Sequence, residues 1–130
     1  MDVSHYSVAL MSDSKWRKLF TLLAEHGADF SGIEYRFVDT EKVFLGSAPT
    51  IRQVWEAAID DPVVGIGGPV GYKEIESLFI PKIYRYRRYE GAPYSERLLD
   101  LKAFEEKLRK VGQFPLERTN RGLWIYGYKI

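Results

Sequence analysis

Between Ile33 and Phe37 apolar and polar residues alternate, with Ile33, Tyr35 and Phe37 set against Glu34 and Arg36, which is the period of a half-buried strand. Upstream the period changes. Trp16, Leu19, Phe20 and Leu23 recur at i, i+3, i+4 and i+7, one apolar face of a helix. Ser12, Asp13 or Ser14 can cap that helix and Gly27 can end it. After the strand, Asp39 to Lys42 predicts a turn and Val43 to Leu45 a returning strand. Pro49 at a first helical position predicts a second helix, with Ile51, Val54, Trp55, Ala58 and Ile59 inward and Asp60-Asp61-Pro62 as its stop.

The stretch from Val63 to Arg88 predicts the middle of an antiparallel sheet. Val63 to Ile66 reads as a buried strand, broken by glycines, and Tyr72 to Ile80 as a long alternating one. Lys82 to Arg88 is a third strand or an extension of the second past Pro81, a residue compatible with a sheet edge. Glu90 to Pro93 is a loop. Asp100 caps a third helix with Leu101, Phe104, Leu108 and Val111 inward, and Glu105/Arg109 and Glu106/Lys110 as outer i,i+4 pairs before Gly112. Phe114 to Thr119, a turn at Asn120-Arg121-Gly122 and Leu123 to Lys129 predict a closing hairpin. Three helices and six or seven mostly consecutive strands predict an α+β fold, its helices packed on one face of a mostly antiparallel sheet.

The 130 residues fit one domain, 1–130, with residues 1–10 either a short strand around Ser7 to Met11 or a mobile arm. Met11, directly before the first helix, is a candidate initiator. No apolar run approaches the roughly 20 residues that cross a bilayer, and residues 1–12 lack the pattern of a secretory signal. The expectation is a cytoplasmic protein. The chain has no cysteine, which excludes disulfides, thiolate metal sites and cysteine nucleophiles. Net charge is +1 but unevenly placed: six Lys+Arg against ten Asp+Glu through residue 65, and thirteen against eight afterwards. That asymmetry predicts two surfaces of opposite sign.

Catalytic patterns are weak. Gly65 to Gly71 does not match a dinucleotide or P-loop spacing, and a strand, not a helix, is predicted after it, so it reads as a turn. Glu74 and Glu76 would share one face of a strand, an arrangement usable for acid–base work if a cleft and further ligands surround it. His5 and His26 have no ligand-spaced partner. A non-enzymatic protein without metal or cofactor is therefore expected. Its most functional-looking piece is the ribbon Lys82, Tyr84, Arg85, Tyr86, Arg87, Arg88 and Tyr89, which combines the residue types enriched where proteins bind proteins. The same mixture suits nucleic acid through phosphate pairing and base stacking, or a charged edge strand guarded against aggregation. Glu34, Asp39, Glu41, Glu56, Asp60 and Asp61 form an alternative, acidic contact set.

Ser14-Lys15-Trp16-Arg17-Lys18-Leu19 and Gly122-Leu123-Trp124-Ile125-Tyr126-Gly127-Tyr128 resemble the opening helix and closing aromatic strand of a family of small uncharacterised bacterial proteins. Some of those proteins are regarded as immunity proteins of polymorphic toxin systems. The resemblance implies a cognate toxin as protein partner, bound and neutralised by contact alone, and lends no functional residue. Immunity proteins of basic nucleases are usually acidic, which keeps the acidic set open beside the ribbon.

Overall fold

The structure, a computed structural model, describes residues 8–26 and 30–129. Five strands form the main sheet in the order β3-β2-β6-β10-β9, every neighbour antiparallel. They are β2 (Ser31–Phe37), β3 (Val43–Ser47), β6 (Ile75–Pro81), β9 (Leu116–Arg118) and β10 (Gly122–Tyr126). Of the stretch from Val63 to Arg88 expected at the sheet's middle, only β6 lies there, between β2 and β10; Tyr72–Glu74 is a 3-10 turn and Ile83–Tyr86 leaves for a separate ribbon. Three two-stranded ribbons surround it, β1 (Val8–Ala9) with β11 (Tyr128–Lys129), β4 (Ala58–Asp60) with β5 (Pro69–Gly71), and β7 (Ile83–Tyr86) with β8 (Ser95–Leu98).

The helices are α1 (Asp13–His26) and α2 (Leu101–Val111). The Ser12 hydroxyl accepts the Lys15 N–H at 3.1 Å and the Asp100 carboxylate accepts the Ala103 N–H at 3.0 Å, so both starts are side-chain capped as their residue types predict. Gly27 and His5 lie outside the described residues. Trp16, Leu19, Phe20 and Leu23 of α1, with Phe104 and Leu108 of α2, are buried on one face of the sheet against Ile33, Tyr35, Phe37, Leu78, Ile80, Leu123 and Ile125. Val111, expected inward, is exposed in the last turn.

Two sequence expectations fail for definable reasons. The helix predicted from Pro49 is a single 3-10 turn, Ile51–Gln53, followed by a tight reversal. The Trp55 N–H donates to the Ala58 carbonyl, Val54 bridges Ile59, and Gln53 donates its side-chain amide to the Asp60 carbonyl. Isoleucine, valine and tryptophan favour extended backbone. Of the supposed inner face only Ile59 is fully buried, while Ile51 and Trp55 stand exposed. Helical spacing was thus met by residues that do not share an environment. The strand predicted at Val63 to Ile66 is reduced to one bridge, Val63 to Gly46, because Gly65 adopts φ +100° and turns the chain.

The first and last described strands meet. β1 pairs with β11, the Leu10 N–H donates to the Gly127 carbonyl, and Met11 is buried. Residues 8–11 therefore belong to the fold; the remainder of the proposed arm, residues 1–7, lies outside the described residues. Helix α2 also differs in one detail. Glu105, expected on the outer face, is buried and binds both Arg109, at 3.2 Å, and Arg118 of β9. The Arg118 bond ties α2 to the sheet edge, and the Arg109 bond lies within the helix. Glu105→Ala should lower unfolding free energy by about 2 kcal/mol, since two charge-assisted bonds disappear while both arginines can rehydrate. Urea unfolding measures it, and a loss below about 0.5 kcal/mol would show the pair to be idle.

Candidate functional site

After Pro81 the chain leaves β6 and forms the β7–β8 hairpin. Its foot is held by the Lys82 N–H on the Arg121 carbonyl and the Leu99 N–H on the Lys82 carbonyl, at 2.9 and 2.8 Å. Tyr84 rests against Gly32, where an added Cβ would come within 2.7 Å of the ring. The hairpin's Arg85 face is exposed, while Tyr84 and Tyr86 on the other face are half-buried. Its rungs pair Ile83 with Leu98, Tyr84 with Arg97, Arg85 with Glu96 and Tyr86 with Ser95.

Alternation sorts these side chains as the ribbon pattern requires. Tyr84 and Tyr86 stack on one face, ring centres 5.9 Å apart. On the other, Arg85 meets Glu96 at 3.5 Å, and the Arg85 and Arg87 guanidinium groups both lie over the Tyr94 ring, at 5.3 and 4.1 Å. Each contact is solvent-exposed and contributes only about 0.5–1 kcal/mol, enough to orient the arginines. Arg88 and Tyr89 occupy the loop, where the Ala92 N–H closes a turn on the Tyr89 carbonyl. Of Lys82 through Tyr89, Tyr84 and Tyr86 are half-buried on one face and the other residues are exposed. The partner strand β8 was not foreseen; the alternation through Glu96, Arg97 and Leu98 was too short and polar to separate from the Glu90–Pro93 loop.

The acidic residues do not gather in one place. Glu34 sits on β2 and binds Arg36 at 3.0 Å, Asp39 and Glu41 lie in the β2–β3 turn, Asp60 ends β4, and Glu56 and Asp61 flank it. Glu74 and Glu76 do not form a paired site either. Glu74 belongs to a 3-10 turn and accepts the Gly71 N–H at 2.8 Å, while Glu76 is on β6. Among the described residues no group of three or more His, Cys, Asp or Glu could hold a metal ion. The glycine segment borders an open cleft of about 550 Å³ between residues 46–49 and 61–67. Its Gln53 amide is already bonded to the Asp60 carbonyl.

A second surface escaped the sequence reading. The sheet face away from the helices carries Phe79, Trp124 and Tyr126, each alternating with a core residue. Trp124 stacks on Tyr126 and lies 4.9 Å from Phe79, and the Arg36 guanidinium covers it at 4.7 Å. The Tyr126 hydroxyl donates to Glu117 at 2.7 Å. Burial and that bond push its pKa up to about 12. The layer is not fully satisfied: Arg36 Nη1 is buried without a hydrogen-bond partner, beside a cleft of about 360 Å³ bounded by Glu34, Phe79, Arg121 and Trp124.

Compared with family models, curated proteins and solved structures, the chain matches none. No helix among the described residues is long and apolar enough to cross a membrane.

Tyrosine burial has a consequence that can be measured. Burial raises the pKa of Tyr35, lifts that of Tyr72 to about 12 and raises that of Tyr128, and the Tyr35 hydroxyl is buried without a hydrogen-bond partner. In the unfolded chain these phenols ionise near about pH 10. The folded values are higher, so their stabilising contribution is complete below pH ~10 and is lost as pH rises towards the folded values. The melting temperature should therefore fall between pH 9 and 11. Tyr35→Phe should flatten that fall and, by removing an unpaired buried hydroxyl, should hold or raise stability by about 1 kcal/mol at pH 7. A drop of more than about 1 kcal/mol would indicate an unseen partner for the hydroxyl.

Proposed function

We propose that this is a non-enzymatic cytoplasmic binding protein that engages a protein partner through the β7–β8 hairpin. The observation that supports this reading is a two-stranded ribbon with its arginine face uncovered and its tyrosine face only half-buried, carrying exposed Ile83, Tyr89, Tyr94 and Leu98 beside its arginines. Two strands alone are marginal in water, and exposed apolar groups rimmed by charge are typical of contact surfaces. The resemblance of Ser14 to Leu19 and Gly122 to Tyr128 to a family of small bacterial proteins, some of them regarded as immunity proteins, suggests the kind of partner, a bacterial toxin neutralised by steric cover.

The test is co-expression with the product of the adjacent gene, followed by calorimetry. Arg87→Ala and Tyr94→Ala should each weaken binding by at least about tenfold, the scale of an interface hot spot, and leave the melting temperature within about 2 °C. A pair of variants that bind as wild type would reject the hairpin as the contact. A nucleic-acid module would draw on the same basic residues. It would instead show RNA or DNA affinity that falls steeply with salt and with loss of Arg85 and Arg87.

A further inference from the structure

At the hairpin's foot, between β8 and the first turn of α2, lies a cleft of about 410 Å³. Leu98 and Leu101 give it apolar walls, and Leu98 is 69% exposed although it faces Ile83 across the ribbon. Lys82, Lys102 and Arg118 stand around it, with Asp100 as the one acid. Asp100 is already held as the cap of α2 and Arg118 by Glu105, whereas Lys82 and Lys102 form no ion pair among the described residues. Positive charge continues up the hairpin: residues 82–98 hold Lys82, Arg85, Arg87, Arg88 and Arg97 against Glu90 and Glu96.

We propose that this cleft anchors the partner by taking one apolar side chain of an acidic peptide segment, a leucine or phenylalanine flanked by carboxylates. The inference rests on the hairpin being the docking element and adds the chemistry of what docks. An apolar group between Leu98 and Leu101 removes both from water. Carboxylates on either side meet Lys82 and Lys102, which steers encounter and excludes basic sequences. A nucleic-acid backbone would use the cations but leave the leucine walls wet, so the combination favours peptide.

Fluorescence anisotropy with the full chain tests this, using three labelled probes. They are a decapeptide of aspartate and glutamate with one central leucine, the same peptide with glycine in its place, and a ten-nucleotide oligouridylate. The leucine peptide should bind about tenfold more tightly than the glycine peptide and weaken about fivefold between 50 and 200 mM NaCl. Lys82→Glu or Lys102→Glu should weaken it at least about fivefold, and Leu98→Ser should erase the difference between the peptides. Leu98 is exposed, so that variant retains the fold. Equal binding of the two peptides, tighter binding of the oligouridylate, or no binding of any probe overturns the assignment. If the leucine peptide fails while Arg87→Ala and Tyr94→Ala still release the protein partner, the cleft assignment falls and the hairpin reading stands. If those variants have no effect either, both fall.

Discussion

Trp16→Ala should destabilise the protein by about 3–5 kcal/mol, the range for truncating a large buried aromatic. Trp16 is 2% exposed and stacks on Phe20 at 5.7 Å, and Phe20 continues the pile to Tyr72 and Tyr35 at 5.8 and 6.3 Å. Its far edge abuts Gly127, where an added Cβ would stand 3.2 Å from the indole. Removing the indole opens a cavity bounded by α1, the β10–β11 bend and the aromatic pile, and rigid neighbours cannot collapse into it. For a domain of this size the melting temperature should drop by about 10–15 °C. The urea slope should be unchanged, because the same surface is exposed on unfolding. A fall of less than about 3 °C would mean that the indole is not the keystone of α1 packing. This contact joins the first helix to the last strands, Trp16 packing beside Gly127.

Gly122→Ala should cost about 2–3 kcal/mol, the penalty for forcing volume into a packed site. A Cβ there would lie 2.3 Å from the Ile80 carbonyl oxygen and 2.6 Å from the Phe79 ring. A backbone oxygen of the central strand cannot step aside, so the β6–β10 pairing must open at its end. Gly67→Ala is the matched control, since nothing lies within 4 Å of the added carbon and the change should stay within about 0.5 kcal/mol. Chemical denaturation of the two variants compares them directly. Equal stabilities would show that Gly122 serves only the turn before it, as its place after Asn120-Arg121 first implies.

Helices α1 and α2, the middle position of β6 and the alternating strands β2 and β10 were legible in the chain. Each has a long run whose period and cap agree, and local agreement of that kind needs no tertiary information. The segment around Ile51, Val54 and Trp55 was misread because i, i+3, i+4 spacing is only a pattern of residues. Whether they face one environment depended on Gln53 reaching the Asp60 carbonyl and on the Val54–Ile59 bridge.

The ribbon from Lys82 to Tyr89 was visible as a basic, aromatic surface from residue types alone. Its partner strand, the stacking of two arginines on Tyr94 and the leucine-walled cleft at its foot were not. The same holds for the aromatic layer on the far sheet face and for the burial of Glu105. Alternation, capping and glycine placement act over a few residues, and the chain determines them by itself. Which side chains from distant strands come to share a face, and which charges they enclose, is set by strand order and register, and those exist only once the sheet has closed.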